Sequence, residues 1–567
     1  MRRKKIWRTY PEQLELINEL SARHGVPRLV ARILLNRGLI DSQDVLAFLE
    51  PSLEKLHPPF ALPGLEKAAA RLAEAVRRRE RVVVYGDYDV DGLTSTCLLH
   101  DFFRELGLDC LTYIPDRLRE GYGLKLPALQ ELARRAKLLV TVDCGISDAG
   151  EVAWAMDNGL EVIVTDHHEL PPELPPALAV VNPKRGGEDY PFGDLAGVGV
   201  ALLLALGVRA NLRESGWFKK RPEPNLRSYL DLVALGTAAD VAPMQGENRI
   251  LVREGLKVLE ESRRPGLVAL KEAAGLEGKP VSYRDAVFRL APRLNAAGRL
   301  GQAKSALELL LSRDLAQART QARYLSDLNR QRQGLEEQVR RQALELADRQ
   351  NLGDRRVWVL AGEGWHPGVL GIVAARLAEA YHRPVALVSL ENGRGRGSAR
   401  SVEGFHLFQG LTACKNILAR FGGHQAAAGF EVAAGDVEAL QDALEEAFIQ
   451  QVGPEHLKPT LKVDALVQLE ELDAQFYHQL ERLRPFGPGN PEPVLACAGV
   501  ECLSSRIVGE RHLKVQLAQN GCLMEAIAFD RAGAHPLAGP LEVAFSPRFS
   551  FFQGRLHPEL RLLDWGR

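Results

Sequence analysis

Residues 82–95, VVVYGDYDVDGLTS, decide the fold of the region around them. An apolar run ends in a glycine and then in three aspartates at alternate positions, Asp87, Asp89 and Asp91, before a helical pattern begins. A buried strand that leads directly into a helix is the repeating unit of a parallel α/β sheet. Three carboxylates this close repel one another, so their cluster is costly unless a cation lies among them. The stretch predicts a parallel sheet with a cation site at the end of one strand.

Three later segments end in the same way. LLVTVD ends at Asp143, EVIVTD ends at Asp166 and is followed by His167 and His168, and LGTAAD ends at Asp240. Ligands of open parallel sheets bind at the carboxyl ends of the strands. We therefore expect these separate segments to converge on one crevice. An isolated aspartate at a strand end is more often a helix cap or a turn residue, but that interpretation does not explain all the segments together.

The residue types indicate which cation the site binds. Carboxylate oxygens with an imidazole suit Mn²⁺ or Mg²⁺ better than a thiolate-bound zinc. Such a set suffices for two ions about 3.5–4 Å apart, which activate a water and stabilise phosphoryl oxygens. Adjacent side chains of an extended chain point to opposite sides, so we assign His167 as a ligand and His168 to the scissile phosphate or to an acid role. An EF-hand is excluded, because position twelve counted from Asp87 is Leu98 rather than glutamate.

Composition limits the class of protein. The 567 residues are too many for one core, and 46% hydrophobic with 26% charged residues is typical of a soluble globular chain. The net charge of −1 neither supports nor excludes nucleic acid as a partner. The seven cysteines form no CxxC pair, which favours a reducing cytoplasm. The N-terminus lacks an apolar signal segment, and the longest apolar run, 195–208, is too short for a bilayer and predicts a buried helix.

The pattern along the chain predicts an α/β multidomain fold. A Pro-free polar stretch from residue 303 to about 350 predicts one or two long helices, with Gly334 as the possible break. Alternating short strands near the C-terminus predict a small β-barrel, for which an OB-fold is the natural size. The expected domains are an N-terminal helical cap, a parallel-sheet domain, a connector helix, a second α/β domain and an OB-like β-barrel, at residues 1–50, 51–300, 301–350, 351–450 and 451–567.

The second α/β domain contains residue types suited to phosphate. GRGRGSARS places Arg394, Arg396 and Arg400 among glycines, and arginine forks onto phosphate oxygens. His424 follows two glycines and suits a phosphate or a capped core position equally. In the first domain, Tyr122 can stack on a base, an interaction worth roughly 1–3 kcal/mol, or pack in the core.

In this order, GDYDVDG, VDCGI, TDHH and LGTAADVAP resemble the DHH phosphoesterase superfamily. Further segments extend the resemblance over nearly the whole chain to the RecJ family of bacterial single-strand-specific exonucleases. They are PDRLREGYG (115–123), RLNAAGRL (293–300), WHPGVLGIVAARL (365–377), GSARS (397–401), GGHQAAAGF (422–430) and RPFGPGNPEP (484–493). The resemblance makes the first α/β domain a DHH domain and the second a DHHA1 domain.

The resemblance also implies site residues. Two Mn²⁺ or Mg²⁺ ions are expected, with Asp87 and His168 as further catalytic residues of the motif. The implied metal ligands are Asp89, Asp91, Asp143, His167 and Asp240. The implied nucleic-acid-binding residues are Arg117, Tyr122, Arg293, Asn295, Arg299, Ser398, Arg400 and His424.

By this resemblance the chain is a 5′-to-3′ exonuclease that releases mononucleotides from single-stranded DNA in recombination and repair. A helicase and a single-stranded-DNA-binding protein are the expected partners of a cytoplasmic monomer without membrane association. Some family members carry a further C-terminal domain, whereas this chain is expected to end after the barrel. One alternative is a DHH phosphoesterase for short oligonucleotides or cyclic dinucleotides, which the barrel and the N-terminal extension disfavour. The other is a non-catalytic DNA-binding scaffold, which the complete ligand set disfavours.

Overall fold

The structure is a computed structural model that describes residues 5–187, 189–453, 457–552 and 555–566. Its described strands form a two-stranded pair, a five-stranded parallel sheet, a five-stranded mixed sheet and a six-stranded sheet. Within these ranges no helix combines the length and the apolarity needed to cross a bilayer. The predicted α/β multidomain fold is confirmed.

The N-terminal segment packs on the C-terminal domain. Its elements are β1 (Ile6–Thr9), α1 (Leu14–His24), α2 (Arg28–Asn36) and α3 (Ser42–Leu49). Strand β1 pairs in parallel with residues 460–463. One face of α2 is apolar, and Val30, Ile33 and Leu34 on it share a hydrophobic core with the C-terminal strands. The segment is therefore helical, as expected, but it is continuous with the core of another domain; the predicted boundary at residue 50 stays a prediction.

The parallel sheet and its helices occupy the next part of the chain. The elements are α4 (Leu65–Arg78), β2 (Val82–Gly86), α5 (Val90–Glu105), β3 (Cys110–Tyr113), α6 (Leu126–Ala133), β4 (Leu138–Val142), α7 (Ala149–Asp157), β5 (Glu161–Thr165), β6 (Ala179–Val181) and α8 (Gly197–Glu214). The strand order is β3-β2-β4-β5-β6, and all pairs are parallel. Asp87, Asp143 and Asp166 follow the neighbouring strands β2, β4 and β5, so the predicted convergence of strand ends is confirmed.

Helices complete this domain and connect it to the next. They are α9 (Leu230–Ala239), α10 (Gly246–Glu261), α11 (Pro265–Ala273), α12 (Tyr283–Asp285), a π-helical turn (Ala286–Leu290), α13 (Ala291–Arg299), α14 (Ala303–Leu311) and α15 (Leu315–Arg349). The apolar helix α8 is buried, as predicted. Helix α15 has 35 residues and runs through Gly334 without a break. The long connecting helix is confirmed.

The second α/β domain has a mixed sheet. Its elements are β7 (Trp358–Glu363), α16 (Pro367–Tyr381), β8 (Val385–Glu391), β9 (Arg394–Arg400), α17 (Leu407–Ala413), β10 (Leu418–Gly423), β11 (Ala427–Ala433) and α18 (Val437–Val452). The strand order is β10-β11-β9-β8-β7, in which β7–β8 is the parallel pair.

Most of the segment GRGRGSARS, in which glycine was expected to let the backbone approach a phosphate, forms strand β9. Gly395 and Gly397 face inward, since a Cβ on Gly395 would collide with Val388 and one on Gly397 with the ring of Phe430. Ser398 and Arg400 lie on the opposite, more exposed face. The glycines are therefore explained by close packing of the sheet rather than by close approach to an anion.

The C-terminal domain is a closed β-barrel. Its elements are β12 (Thr460–Val463), β13 (Ala465–Leu466), α19 (Ala474–Arg482), β14 (Leu495–Val508), β15 (His512–Gln519), β16 (Cys522–Ala528), β17 (Gly539–Phe552) and β18 (Arg555–Gly566). The order β13-β14-β15-β16-β18-β17 closes through the pairing of β14 with β17. The predicted OB-like barrel is confirmed.

Candidate metal centre and substrate cleft

The three aspartates of the opening segment do not share one face. Asp87 directly follows β2, whereas Asp89 is the N-cap of α5 and its carboxylate accepts hydrogen bonds from the amides of Asp91 and Gly92, at 3.0 and 3.1 Å. Asp91 already lies in the first turn of this helix. The side-chain alternation of an extended chain therefore ends at Asp89, and Asp91 is directed to a different part of the crevice.

The carboxylates and histidines form three overlapping groups. Within each group the candidate ligand atoms all lie within 4.8 Å of one another. Asp143 and His167 each belong to two groups, so these side chains link the groups. The groups are Asp87, Asp89 and Asp143; Asp91, His167 and Asp240; and Asp143, His167 and His168. This arrangement fits two neighbouring cations.

Donor atoms without partners support this fit. Oδ1 of Asp87 is buried and lacks a hydrogen-bond partner, while Oδ1 of Asp143 and Nε2 of His167 are buried and lie 3.0 Å apart without the geometry of a hydrogen bond. A buried polar atom left unsatisfied costs roughly 1–3 kcal/mol. Bound cations would satisfy these atoms, and carboxylates with one imidazole are the donors that Mn²⁺ and Mg²⁺ accept. The residues present therefore fit the predicted ions.

The pKa values of the carboxyl groups are raised although the cationic His168 lies nearby and partly offsets the shift. Burial, reinforced by the charge of Asp89, raises the pKa of Asp91 to about 7. Burial and the charge of Asp91 raise the pKa of Asp240 to about 8. Burial likewise raises the pKa of Asp143 well above its usual range. Cations from solution would stabilise the ionised carboxylates and so lower these pKa values.

The first residues of α8 hold Asp91 in place, which sequence reasoning missed. The amide of Gly197 donates to Oδ2 of Asp91 at 2.7 Å, and the amide of Val198 donates to Oδ1 at 2.8 Å. A Cβ on Gly197 would lie 2.9 Å from Oδ2 of Asp91. The apolar composition of this run predicted only a core helix; Gly197 was the signal that the chain approaches something closely.

The two adjacent histidines have different environments, as their alternation predicted. His167 is partly buried, with 14% of its side chain exposed, and its Nε2 lies 3.0 Å from Oδ1 of Asp143. Burial and the charge of His168 lower the pKa of His167 to about 4, so its imidazole is neutral and able to bind a metal. Burial alone would lower the pKa of His168, but its hydrogen bond to Asp166 raises that pKa to about 9. His168 is therefore a cation at neutral pH.

Asp166 organises this histidine pair, a role that the sequence did not reveal. Its Oδ1 accepts from the amides of His167 and His168, at 2.7 and 3.1 Å, and lies 2.8 Å from Nδ1 of His168. Its Oδ2 accepts from the amide of Ile146 at 3.0 Å. Although burial raises the pKa of Asp166, these hydrogen bonds bring it below the usual value. The position of Asp166 directly after β5, like those of Asp87 after β2 and Asp143 after β4, was the available signal.

Three arginines from distant parts of the chain face one another beside this centre. The Arg117 guanidinium lies 5.0 Å from the ring centroid of Tyr88. Arg299 donates to the carbonyl of Gly368, at the start of α16, over 3.3 Å. Burial and the charge of Arg117 lower the pKa of both Arg299, to about 10, and Arg400. Such mutual repulsion is offset when an anion lies between the guanidinium groups.

Tyr122 and His424 lie at the mouth of the centre. The Tyr122 side chain is 40% exposed, and its hydroxyl lies 3.2 Å from the carbonyl of Asp143 and 3.1 Å from Nδ1 of His168. Core packing is therefore not the role of this tyrosine. His424 is exposed. Glu169, the residue next to His168, has a lowered pKa, mainly because of its ion pair with Lys184, and the charge of His424 contributes to the same shift.

The remaining predicted binding residues differ in their contacts. The Arg293 guanidinium bonds to Ser326 at 3.2 Å and to the carbonyl of Ala273 at 3.1 Å, so it joins α13 to α15 and α11. Asn295 is half-buried on α13. Ser398 accepts from Arg400 at 3.3 Å and belongs to the arginine group.

Comparison with known families gives matches to the parallel-sheet domain, the second α/β domain and the barrel. The model of the DHH family, N-terminal domain, matches residues 81–237. The DHHA1 domain model matches residues 354–450, and the RecJ OB domain model matches residues 463–564.

Relatives with the same name cover most of the chain. The single-stranded-DNA-specific exonuclease RecJ of Escherichia coli is 38% identical over 522 residues, which are 89% of this chain and 89% of that protein. The protein of this name from Bacillus subtilis is 35% identical over 530 residues, 93% of this chain. The chain spans 66% of the length of the Bacillus relative.

Solved structures agree. The crystal structure of RecJ in complex with Mn²⁺ from Thermus thermophilus is 35% identical, has a TM-score of 0.84, and is matched over 99% of this chain and 79% of that one. For the Mg²⁺ complex of the same protein the TM-score is 0.79 at 34% identity, over 99% and 78% of the two chains. The resemblance found in the sequence is confirmed: the chain belongs to the RecJ family of DHH proteins.

Proposed function

We propose that this chain is an exonuclease that degrades single-stranded DNA from the 5′ end and releases 5′-mononucleotides. One observation carries the proposal: a two-cation donor set with unsatisfied buried atoms lies beside a group of arginines contributed by both α/β domains. The names of the relatives point to the same substrate.

The donor set has a defined division of roles. We assign Asp89, Asp91, Asp143, His167 and Asp240 as metal ligands and add Asp87, because its carboxylate lies with Asp89 and Asp143. When bound, two Mn²⁺ or Mg²⁺ ions activate a water and stabilise charge on phosphoryl oxygens. The chain itself holds these carboxylates in place through backbone amides, such as those that fix Asp91.

His168 supplies a proton donor at the phosphate. Although burial alone would lower the pKa of His168, its hydrogen bond to Asp166 raises that pKa, which favours the protonated imidazole, and Asp166 orients the ring through Nδ1. The remaining nitrogen is then available to donate to a phosphate oxygen or to protonate the leaving oxygen. The exposed side chain, 46% accessible, allows the substrate to reach it.

The arginine group binds the end of the strand. Arg117, Arg299 and Arg400, with the hydroxyl of Ser398, present several donors to one phosphate group. Tyr122 offers an exposed aromatic face for the terminal base, and His424 reaches the same mouth from the second domain. A strand end with its terminal phosphate satisfies this group fully, which favours exonuclease over endonuclease action. Arg293 and Asn295 are proposed to position the helix that carries Arg299.

The cellular role follows from the substrate. Single strands arise when a helicase opens a duplex, and a single-stranded-DNA-binding protein holds such strands, so we propose both as partners of a cytoplasmic monomer in recombination and repair. The barrel extends the binding surface for long strands, as OB-folds do.

End-labelling tests the proposal. A long single strand is labelled at the 5′ end in one sample and at the 3′ end in another, with Mn²⁺ or with EDTA. We expect immediate, metal-dependent release of a labelled mononucleotide from the 5′ label, while the 3′ label stays on a shortening strand. Activity on dinucleotides alone would indicate a small-substrate phosphoesterase, and binding without cleavage would indicate a scaffold.

A further inference from the structure

An exposed phenylalanine lies on the first domain, away from the metal centre. Phe288, in the π-helical turn Ala286–Leu290, is 68% exposed, and no other large apolar side chain among the described residues has a greater exposed fraction. The Arg284 guanidinium lies 5.7 Å from the centroid of its ring. This residue contributes little to the core, so packing does not explain it.

The barrel presents a similar pair opposite this one. The Arg548 guanidinium lies 5.2 Å from the ring centroid of Phe529. Burial and the charges of Arg561 and Arg548 lower the pKa of Arg284, so these three guanidinium groups share one region. We call Arg284, Phe288, Phe529, Arg548 and Arg561 the junction surface.

The junction surface keeps an excess of positive charge. Arg548 pairs with Glu559 at 2.7 Å, and Arg561 pairs with Glu492 at 3.4 Å. Among the described residues Arg284 forms no ion pair. The two carboxylates whose charges act on it have other partners: Asp285 closes the capping box with Ser282 and pairs with Arg289 at 3.2 Å, and Glu492 pairs with Arg561. Alternating arginines and aromatic rings, with one arginine in excess, are the pattern of surfaces that bind single strands without sequence preference.

A continuous helical segment leads from the junction surface to the cleft. It begins with α12, continues through the π-helical turn and ends with α13 at Arg299, in the arginine group. At 1.5 Å per residue, Phe288 and Arg299 are about 16 Å apart along this axis. A single strand that advances 3.4 Å or more per nucleotide covers this distance with about five nucleotides or fewer.

We propose that Phe288 is a stacking platform for a base of the DNA strand, a few nucleotides from the cleavage site, and that Arg284 and the barrel arginines hold the adjacent phosphates. The inference rests on the proposed function and adds a subsite to it. Aromatic stacking tolerates every base, and the nearby guanidinium adds a cation–π contribution. The site would bind long strands and leave very short substrates unaffected.

The test compares Phe288→Ala with Phe288→Trp, which keeps an aromatic face, and with Phe60→Ala, which truncates another exposed phenylalanine (41%) on the first domain. Affinity for a 5′-phosphorylated strand of about 20 nucleotides is measured in EDTA by fluorescence anisotropy. We expect Phe288→Ala to weaken binding about tenfold, while the other two variants bind like the parent.

A second readout uses a substrate that cannot reach the platform. With Mn²⁺, kcat/KM of Phe288→Ala on a 5′-phosphorylated dinucleotide is expected to equal that of the parent. Unchanged affinity for the long strand, an equal loss by Phe60→Ala, or a parallel loss on the dinucleotide would each overturn the inference. Failure of the parent protein to cut any strand would instead reject the proposed function, because the affinities in EDTA do not depend on cleavage.

Discussion

Helix α5 carries two buried aspartates with opposite properties. Asp91, in its first turn, is 1% exposed, and burial together with Asp89 raises its pKa to about 7. Asp101, near the end of the same helix, is 2% exposed and is ion-paired with Arg264 and, at 2.6 Å, with Arg313. Although burial raises the pKa of Asp101, hydrogen bonds and these charges bring it below the usual value.

The difference separates a structural carboxylate from a proposed metal ligand. Asp101 has its counter-charges within the chain, and they keep it ionised. Asp91 accepts from two backbone amides, and the charge of His168 only partly offsets burial and the charge of Asp89, so we propose a metal cation as its counter-charge. Two equally buried aspartates thus have pKa values shifted in opposite directions, and the presence or absence of an arginine partner distinguishes them.

The largest expected effect comes from removing a shared ligand. Asp143→Ala should lower cleavage of single-stranded DNA by about 10³-fold or more, because Asp143 belongs to two of the three donor groups. In EDTA the Asp143→Ala variant should begin to unfold at the same temperature as the parent or at a higher one, because the substitution removes one of the carboxylates that repel one another. Near-normal cleavage would contradict the ligand assignment.

Breaking the paired aspartate should have the reverse outcome. Asp101→Asn leaves the buried Arg264 with only the more distant Asp231, 3.8 Å from its Nε, and should cost about 3–5 kcal/mol of unfolding free energy, with kcat retained at low temperature. Urea unfolding measures this cost. Asp109→Asn is the matched control, because its pair with Arg81 is half-exposed, with side chains 54% and 48% accessible, and should change stability by about 0–1 kcal/mol. Similar losses of stability in Asp101→Asn and Asp109→Asn would show that burial of the ion pair does not determine its cost.

Adding Mn²⁺ should supply the carboxylates around Asp91 with the positive charge that Asp101 already receives from its arginines. Mn²⁺ at about 100 times its dissociation constant should stabilise the parent by about 2.7 kcal/mol for each ion bound. Differential scanning fluorimetry with and without Mn²⁺ measures the shift. The shift should be strongly reduced in Asp143→Ala and unchanged in Asp109→Asn. A full shift in Asp143→Ala would place the ions elsewhere.

The last expected effect is a pH dependence that differs between the two sites. The pKa values of Asp91 and Asp240 are raised from 3.8 to about 7 and about 8, so the folded chain retains protons that the unfolded chain releases. Their contribution to stability is complete below about pH 4 and is lost as the pH rises to about 8. Asp101, with its lowered pKa, contributes stability above about pH 4 that is lost on further acidification.

Unfolding temperatures across this pH range, in EDTA and in Mn²⁺, test that sign. We expect the temperature in EDTA to fall between about pH 5 and pH 8 relative to that in Mn²⁺, and the fall to be smaller in Asp143→Ala. A difference between EDTA and Mn²⁺ that does not change with pH would show that these carboxyl groups are ionised without a metal.

Much of the fold and part of the site could be predicted from local pattern. Apolar runs that end in Asp87, Asp143 and Asp166 predicted parallel strands, and the strands lie side by side. The alternation of His167 and His168 predicted two environments, which their opposite pKa shifts bear out. The glycines of β9 misled, because close packing against Phe430 and close approach to an anion require the same residue.

The sequence by itself determined which residues end the strands, where helices follow, and that hard-oxygen donors lie close together, because these properties depend on neighbours along the chain. Tertiary structure alone decided that Asp91 turns away from Asp87, that Asp166 orients the histidines, and that Arg117, Arg299 and Arg400 face one another across two domains. It also placed the N-terminal helices in the core of the C-terminal domain. Such contacts join residues far apart in the chain, and their energies depend on distance and burial in space, which no local pattern contains.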